Sequence, residues 1–208
     1  MKNLCLPVVL SFALLVPNAP AAPNVDNSPQ LAYGLMMKQG GKLVFAPCRD
    51  PSYAFVEDVS DDGQVVKGLD QIGLAAGQRL YVELFGWLDG ATLRAKSINL
   101  ARTDGRCQRP GSNGEAWLAG GHNPDWALAA GTAGIQLQRT GGPELSIPYH
   151  AFREDGAVST FSADGDHGHV EIAMTRALCR DEAAATIAGW TATITVGSQT
   201  LKGCAWQR

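Results

Sequence analysis

The chain is short of most features that announce a function. It has no C-x-x-C, so a thioredoxin-type dithiol has no support, and its cysteines lack the close spacing of a zinc site. It has no excess of basic residues: 17 Lys and Arg stand against 20 Asp and Glu, a formal charge of −3. That leaves no basic stripe for nucleic acid. There is no G-x-S-x-G elbow, P-loop, H-E-x-x-H or dinucleotide fingerprint, so no standard hydrolase, nucleotide or metalloprotease chemistry is indicated. Neither Asp58-Asp61-Asp62-Gly63 nor Asp164-Gly165-Asp166 has the spacing and terminal glutamate of an EF-hand. No internal repeat or low-complexity tract is present. After the first two dozen residues no apolar run is long enough for a membrane helix.

What is present begins with the N-terminus. Lys2 precedes an apolar run from Leu4 to Val16, and Ala19-Pro20-Ala21 supplies an A-x-A site. This is the layout of a secretory signal peptide, with expected removal of residues 1–22. Cys5 lies too early to serve as a lipid-anchor cysteine, so the expectation is a soluble periplasmic protein without a stable membrane anchor. Residues 23–30 (PNVDNSPQ) read as a flexible leader. Four cysteines remain after cleavage: Cys48, Cys107, Cys179 and Cys204. An oxidising compartment makes disulfides their default state. Four cysteines allow three pairings; the sequential one keeps each bridge within one module, and the others cross or nest.

Glycine is plentiful, at 24 residues, and punctuates short apolar stretches. Leu31–Met37 and Lys42–Ala46 flank Gln39-Gly40-Gly41, a hairpin pattern. Tyr53–Val59 is a further strand, ended by Ser60-Asp61-Asp62-Gly63, and Gln64–Lys67 is expected to resume it. In the stretch from Gly68 to Gly77, Leu69, Ile72 and Ala76 fit one face of a short helical turn. Arg79–Leu88, the turn Asp89-Gly90 and Thr92–Ala101 form the clearest hairpin, with Gly86 marking a bulge or bend in its first strand. These strands suit a small barrel of the OB type. Arg109–Gly114, with a proline and two glycines, is the expected domain boundary. Beyond it, strand-like stretches recur at Glu115–Leu118, Trp126–Ala129, Gly134–Gln138, Glu144–Pro148, Val158–Ser162, His169–Thr175, Trp190–Val196 and Leu201–Ala205. Several gaps fit the roughly 8–12-residue rhythm of an antiparallel sandwich or barrel. Asp181–Ile187 alone has helix-favouring composition. The expected fold is therefore all-β: an OB-like domain over 31–110, then a β sandwich or barrel over 111–208.

Within the second half, Asn123-Pro124-Asp125-Trp126, Leu145-x-Ile147-Pro148, Cys179-x-Asp181 and Leu201-x-Gly203-Cys204 follow one another in order. The arrangement resembles an uncharacterised family of bacterial envelope proteins with the pattern G-x-x-P-x-W … C-x-D … L-x-G-C, in which this module accompanies an NlpE-like OB domain or a META/HslJ-like domain. The resemblance implies a first domain closed by Cys48 and Cys107, and a link to copper tolerance or envelope stress. The chain departs from the pattern in carrying His122-Asn123 where relatives have an acid, and Ala183-Ala184-Ala185 where they have a glycine-bearing stretch.

Three functional readings follow. The first is a non-enzymatic envelope accessory or binding protein, without a cofactor, for a glycan or an envelope protein. Its candidate ligand face is Trp87 with Phe85 beside the Asp89-Gly90 hairpin tip, since OB barrels present such faces to saccharides; the other tryptophans read as core. The second is metal binding. His167 and His169 would share a face on a strand, and Asp164 and Asp166 add carboxylates suited to copper or zinc; the alternative for Asp164-Gly165-Asp166 is plain turn chemistry. Nothing in the sequence brings His122 or His150 to that pair. The third is a binder or inhibitor of a cell-wall hydrolase.

Overall fold

The computed structural model describes residues 27–111, 114–165 and 168–208. The signal-peptide reading over 1–22, and Asp166 and His167 of the metal reading, lie outside these.

The first half is a closed five-stranded barrel. Its strands are β1 (Gln30–Gln39), β2 (Lys42–Pro47), β3 (Ala54–Asp58), β4 (Leu80–Asp89) and β5 (Thr92–Arg102). β1 pairs antiparallel with β2 and β4, β2 with β3, and β4 with β5; a parallel β3–β5 pairing closes the ring. This is OB connectivity, with helix α1 (Gln64–Asp70) inserted between β3 and β4. Gly86 does sit at a register shift between Phe85 and Gly86. A Cβ there would lie 2.2 Å from the carbonyl oxygen of Arg94, so β4 can cross β5 this closely only with glycine.

The expected strand over Gln64–Lys67 is instead the start of α1. Its first amides are taken by side chains upstream: Val65 N donates to Ser60 Oγ (3.1 Å) and Val66 N to Asp58 Oδ2 (2.8 Å). These satisfy donors that a helix start leaves orphaned. Val65 and Leu69, one helical turn apart, are both buried and plug the barrel with Leu74 and Leu80. The β-branched pair Val65-Val66 favours a strand locally, and burial of the i, i+4 face overrides that preference.

The second half is one antiparallel sheet. Its strands are β6 (Glu115–Gly121), β7 (Trp126–Gly131), β8 (Gly134–Arg139), β9 (Leu145–Ile147), β10 (Arg153–Asp155), β11 (Val158–Gly165), β12 (Gly168–Asp181), β13 (Thr186–Val196) and β14 (Gln199–Gln207). Their order is β10-β11-β12-β13-β14-β6-β7-β8-β9. β13 alternates cleanly: Trp190, Ala192, Ile194 and Val196 enter the core, and Thr191, Thr193 and Thr195 face away. The sheet curls so far that Phe152, between β9 and β10, touches Trp117 of β6 (ring centroids 6.0 Å) and Phe161 of β11 (5.5 Å). The helix-favouring stretch Asp181–Ile187 is a hairpin turn joining β12 to β13; Asp181 Oδ1 accepts the amide of Ala184 (3.0 Å), and Ala185 takes a positive φ of 48°.

Cys48 is bonded to Cys107 and Cys179 to Cys204. The first bridge ties the segment after β5 to the end of β2. The second joins β12 to β14, the two neighbours of β13, and closes a separation of 25 residues. In the chain-entropy account such a loop stabilises by about 3 kcal/mol. Two disulfides fit an oxidising environment. Among the described residues no helix is long and apolar enough to cross a membrane.

The two halves are not merely linked through 109–114. The end of β5 pairs with the start of β13 (Leu100 with Ala188, Ala101 with Ile187, Arg102 with Thr186), and Ile187 enters the barrel core. Beside this pairing lies a buried polar cluster. Asn99 Nδ2 donates to Glu83 Oε2 (2.8 Å) and to the carbonyl of Gln207 (3.0 Å); Asn99 Oδ1 accepts the amide of Gln207 (2.9 Å). Glu83, 1% exposed, also accepts from Tyr81 Oη (2.9 Å) and pairs with Arg208 (3.0 Å). Burial, with the Glu83 carboxylate alongside, holds the Tyr81 phenol well above its ordinary pKa, so it stays a donor. Removing one partner of a buried pair strands the other charge, a loss of about 3–5 kcal/mol. Glu83→Ala should therefore lower stability by about that much in urea denaturation, and Glu83→Ala/Arg208→Ala by less than the sum of the single losses. Additive losses would show that the pair is not coupled.

Candidate functional site

A trough of about 490 Å3 opens where the outer face of the second sheet meets the end of β5. Its floor is set by strand register. Gln138 of β8 lies opposite Ala127 of β7, Ala127 opposite Gly120 of β6, and Gly120 opposite Cys204 of β14. Directly opposed residues point to the same face of a sheet. Two of the four carry little or no side chain, so the row is a depression rather than a ridge. The β6–β7 turn (His122 and Asp125) and the β12–β13 turn (Asp181 and Ala184) wall it on one side. Leu100, Arg102, Thr186 and Trp206 come from the joint, and Arg139 and Thr140 from the end of β8.

The residues of the G-x-x-P-x-W, C-x-D and L-x-G-C pattern converge here, and their contacts are structural. Trp126 donates its indole N–H to the carbonyl of Lys202 (3.2 Å) and lies across Gly203. A Cβ on Gly203 would come within 2.1 Å of the Gly120 carbonyl, and one on Gly121 within 2.4 Å of the Lys202 carbonyl. The glycines thus let β6, β14 and the tryptophan meet at backbone distance. The intervening turn is tight, with a cis Asn123–Pro124 peptide and a φ of 67° at Asn123.

His122, placed by that turn, links the two walls. Its Nδ1 lies 2.7 Å from Asp125 Oδ1 and its Nε2 3.2 Å from Asp181 Oδ2. Hydrogen bonding to Asp125, reinforced by the charge of Asp181, raises its pKa above the usual imidazole value. Flanked on both ring nitrogens by carboxylates, the ring is best satisfied as imidazolium, a donor at both ends.

The other sequence candidates lie elsewhere. His169 and Asp164 are cross-strand partners, Nδ1 to Oδ1 2.7 Å, and this hydrogen bond raises the histidine pKa. His169 Nε2 meets Ser162 Oγ (3.1 Å) and Glu171 (3.5 Å), so both ring nitrogens are occupied. His150 stacks on Phe161 (4.2 Å) and its Nε2 lies 3.3 Å from the carbonyl oxygen of Ser162. Among the described residues no group of three or more His, Cys, Asp or Glu is disposed to hold a metal. Phe85 and Trp87 are half-buried on β4 and do not line the trough. The exposed apolar side chains of the barrel are Tyr53 (69%), Leu88 (64%) and Phe55 (50%). The sequence reading missed Arg102, Arg139, Trp206 and the meeting of His122 with Asp181. In the sequence the His122 turn and Asp181 belong to the motifs Gly121-x-x-Pro124-x-Trp126 and Cys179-x-Asp181, whose spacing does not relate them in space.

A histidine whose pKa is raised by folding adds stability that is complete below its unfolded value, about 6.5, and fades as pH rises through the folded value. The stability advantage of the native chain over His122→Gln should therefore be larger near pH 5.5 than near pH 8, as read from urea midpoints. An advantage that does not change with pH would show that folding leaves the His122 pKa unshifted, and one that shrinks at pH 5.5 would show that the ring is held neutral. Comparison of the chain with protein-family models, curated proteins and solved structures finds no match.

Proposed function

We propose that the chain is an exported, non-enzymatic binding protein of the periplasm, and that the trough at the joint takes a small glycan. The trough itself carries this reading. Its volume falls within the range of small-ligand pockets, about 300–1,000 Å3. It is a shallow depression floored by Gly120 and Ala127, edged by an aromatic ring (Trp206) and ringed by hydrogen-bonding side chains. A flat floor of small residues with an aromatic edge and dispersed polar groups suits a pyranose ring, which has apolar faces and a polar rim. The site is also held in place. Cys204 is in a disulfide, Gly120 and Ala127 are paired with each other across β6 and β7, and the walls are tied by His122. Sites on rigid elements lose less entropy on binding. The N-terminal signal pattern and the two disulfides support export.

The test is to titrate a panel of mono- and disaccharides, including cell-wall amino sugars, into 15N-labelled protein. At least one should perturb the indole resonance of Trp206 and the amides of Ala127 and Gln138. Ala127→Phe, which fills the floor from an exposed position, should abolish those shifts while leaving the spectrum folded. Perturbations confined to other surfaces, or untouched by Ala127→Phe, would contradict the assignment.

A further inference from the structure

The barrel is plugged at one end and open at the other. Helix α1 stands between β3 and β4, and its Val65 and Leu69 enter the core with Leu80 at the start of β4. The opposite end is built from the starts of β1, β3 and β5 and the ends of β2 and β4, as the pairings Gly34–Pro47, Phe45–Ala54 and Leu88–Leu93 require. A cavity of about 460 Å3 opens there.

Each of the five strands gives this cavity an inward-facing side chain: Ala32, Phe45, Ala54, Leu88 and Leu93. Their direction follows from register, since opposed residues share a face. Ala32 lies opposite the buried Leu84, Phe45 opposite Met36 and Ala54, and Leu88 opposite Leu93. Phe45, Ala54 and Leu93 belong to the barrel core, and Ala32 packs against it. Leu88 points inward yet is 64% exposed, which a closed barrel end would not permit. Tyr53, just before β3, lines the same cavity and is the most exposed of the large apolar side chains. Exposed apolar surface gathered at a concavity marks a binding site. The five inward side chains offer no hydrogen-bonding group, so this wall suits an alkyl chain and would leave buried sugar hydroxyls unmet.

Two charged residues line the cavity, Arg49 and Asp50. Asp50 is turned to its own loop, accepting the amide of Ser52 (2.8 Å). Arg49 is held at the rim. The preceding Cys48 is bonded to Cys107, and its amide donates to the carbonyl of Tyr33 (3.3 Å). The Arg49 guanidinium lies over the Tyr33 ring (4.9 Å) and donates through Nε to the Tyr33 hydroxyl. Among the described residues no carboxylate pairs with it, and its two Nη groups are left for an acceptor. A guanidinium so presented suits a carboxylate, which can take both.

We infer that the open end of the barrel binds a fatty acid, with its alkyl chain seated end-on between the five strands and its carboxylate on Arg49. This site is separate from the trough at the joint and does not depend on the reading of that trough.

The experiment titrates octanoate, below its micellar range, and octan-1-ol into the 15N-labelled mature chain. Octanoate should perturb the amides of Ala32, Ala54 and Leu93 with a Kd of about 1 mM or better, and leave those of Ala127 and Gln138 unmoved. Octan-1-ol should act at the same amides at least tenfold more weakly. Arg49→Gln should weaken octanoate by about tenfold to a hundredfold, the usual worth of a charged hydrogen bond, and leave octan-1-ol unchanged. Leu88→Glu, which sets a like charge in the mouth, should abolish the octanoate shifts. Both substituted side chains are exposed, so folded spectra are expected; if one variant fails to fold, the other decides. No response to octanoate, shifts confined to other surfaces, or shifts that survive Leu88→Glu would overturn the site. Equal response to acid and alcohol, unaltered by Arg49→Gln, would overturn the carboxylate assignment.

Discussion

The carboxylate of Glu83 is the interaction on which the rest of the architecture turns. It lies in the barrel wall, almost wholly buried, where an unpaired charge would be prohibitive. Tyr81 and Asn99 supply donors from the barrel, and Arg208 supplies the counter-charge from beyond β14. Asn99 in turn uses its amide as a strand would, donating to and accepting from the backbone of Gln207. The barrel is therefore completed by the second half of the chain. With the β5–β13 pairing and the entry of Ile187 into the barrel core, this makes the two modules one cooperative unit.

The trough is a consequence of that joint. The outer face of a curled antiparallel sheet has no hollow of its own; this one acquires a side because β5 is docked along its edge. Leu100 and Arg102 reach the trough from the very residues that pair with β13, and Trp206 stands one residue from Gln207. If the joint slipped, the arginine and the indole would separate from the Gly120–Ala127 floor. The pattern residues have a complementary role. Trp126 on Gly203, the Gly120 and Gly121 approaches and the Cys179–Cys204 bridge bring β6, β7, β12 and β14 together beneath the site. They build the floor and walls of the trough.

Much of the fold is legible in the sequence because it is locally encoded. The Asp89-Gly90 hairpin, the bend at Gly86 and the period-two alternation of β13 each follow from turn chemistry or strand pleat within a dozen residues. Two stretches mislead for the same reason. Val65-Val66 favours a strand and Ala183-Ala184-Ala185 a helix, yet the caps from Asp58 and Ser60 and the burial of Leu69 make the first a helix, and Asp181 makes the second a turn. The candidate site was far less legible. Its residues come from β5, β8, β14 and two hairpin turns, and no spacing relates Arg102 to Arg139 or His122 to Asp181. The parallel β3–β5 closure and the β5–β13 pairing are likewise long-range facts that a single linear pattern does not carry. The composition of 109–114 marks a boundary in the chain but is silent on the strand pairing that spans it.

Native-state hydrogen exchange tests the central claim, that the two halves are joined as one unit, most directly. The amides of Gln207 and of the paired residues in β5 and β13 should exchange with the same free energy, and the same urea dependence, as the core amides of β4 and of β12. Exchange of the joint amides through a separate, lower-energy opening, with both cores still protected, would contradict it and leave two domains tethered by a linker.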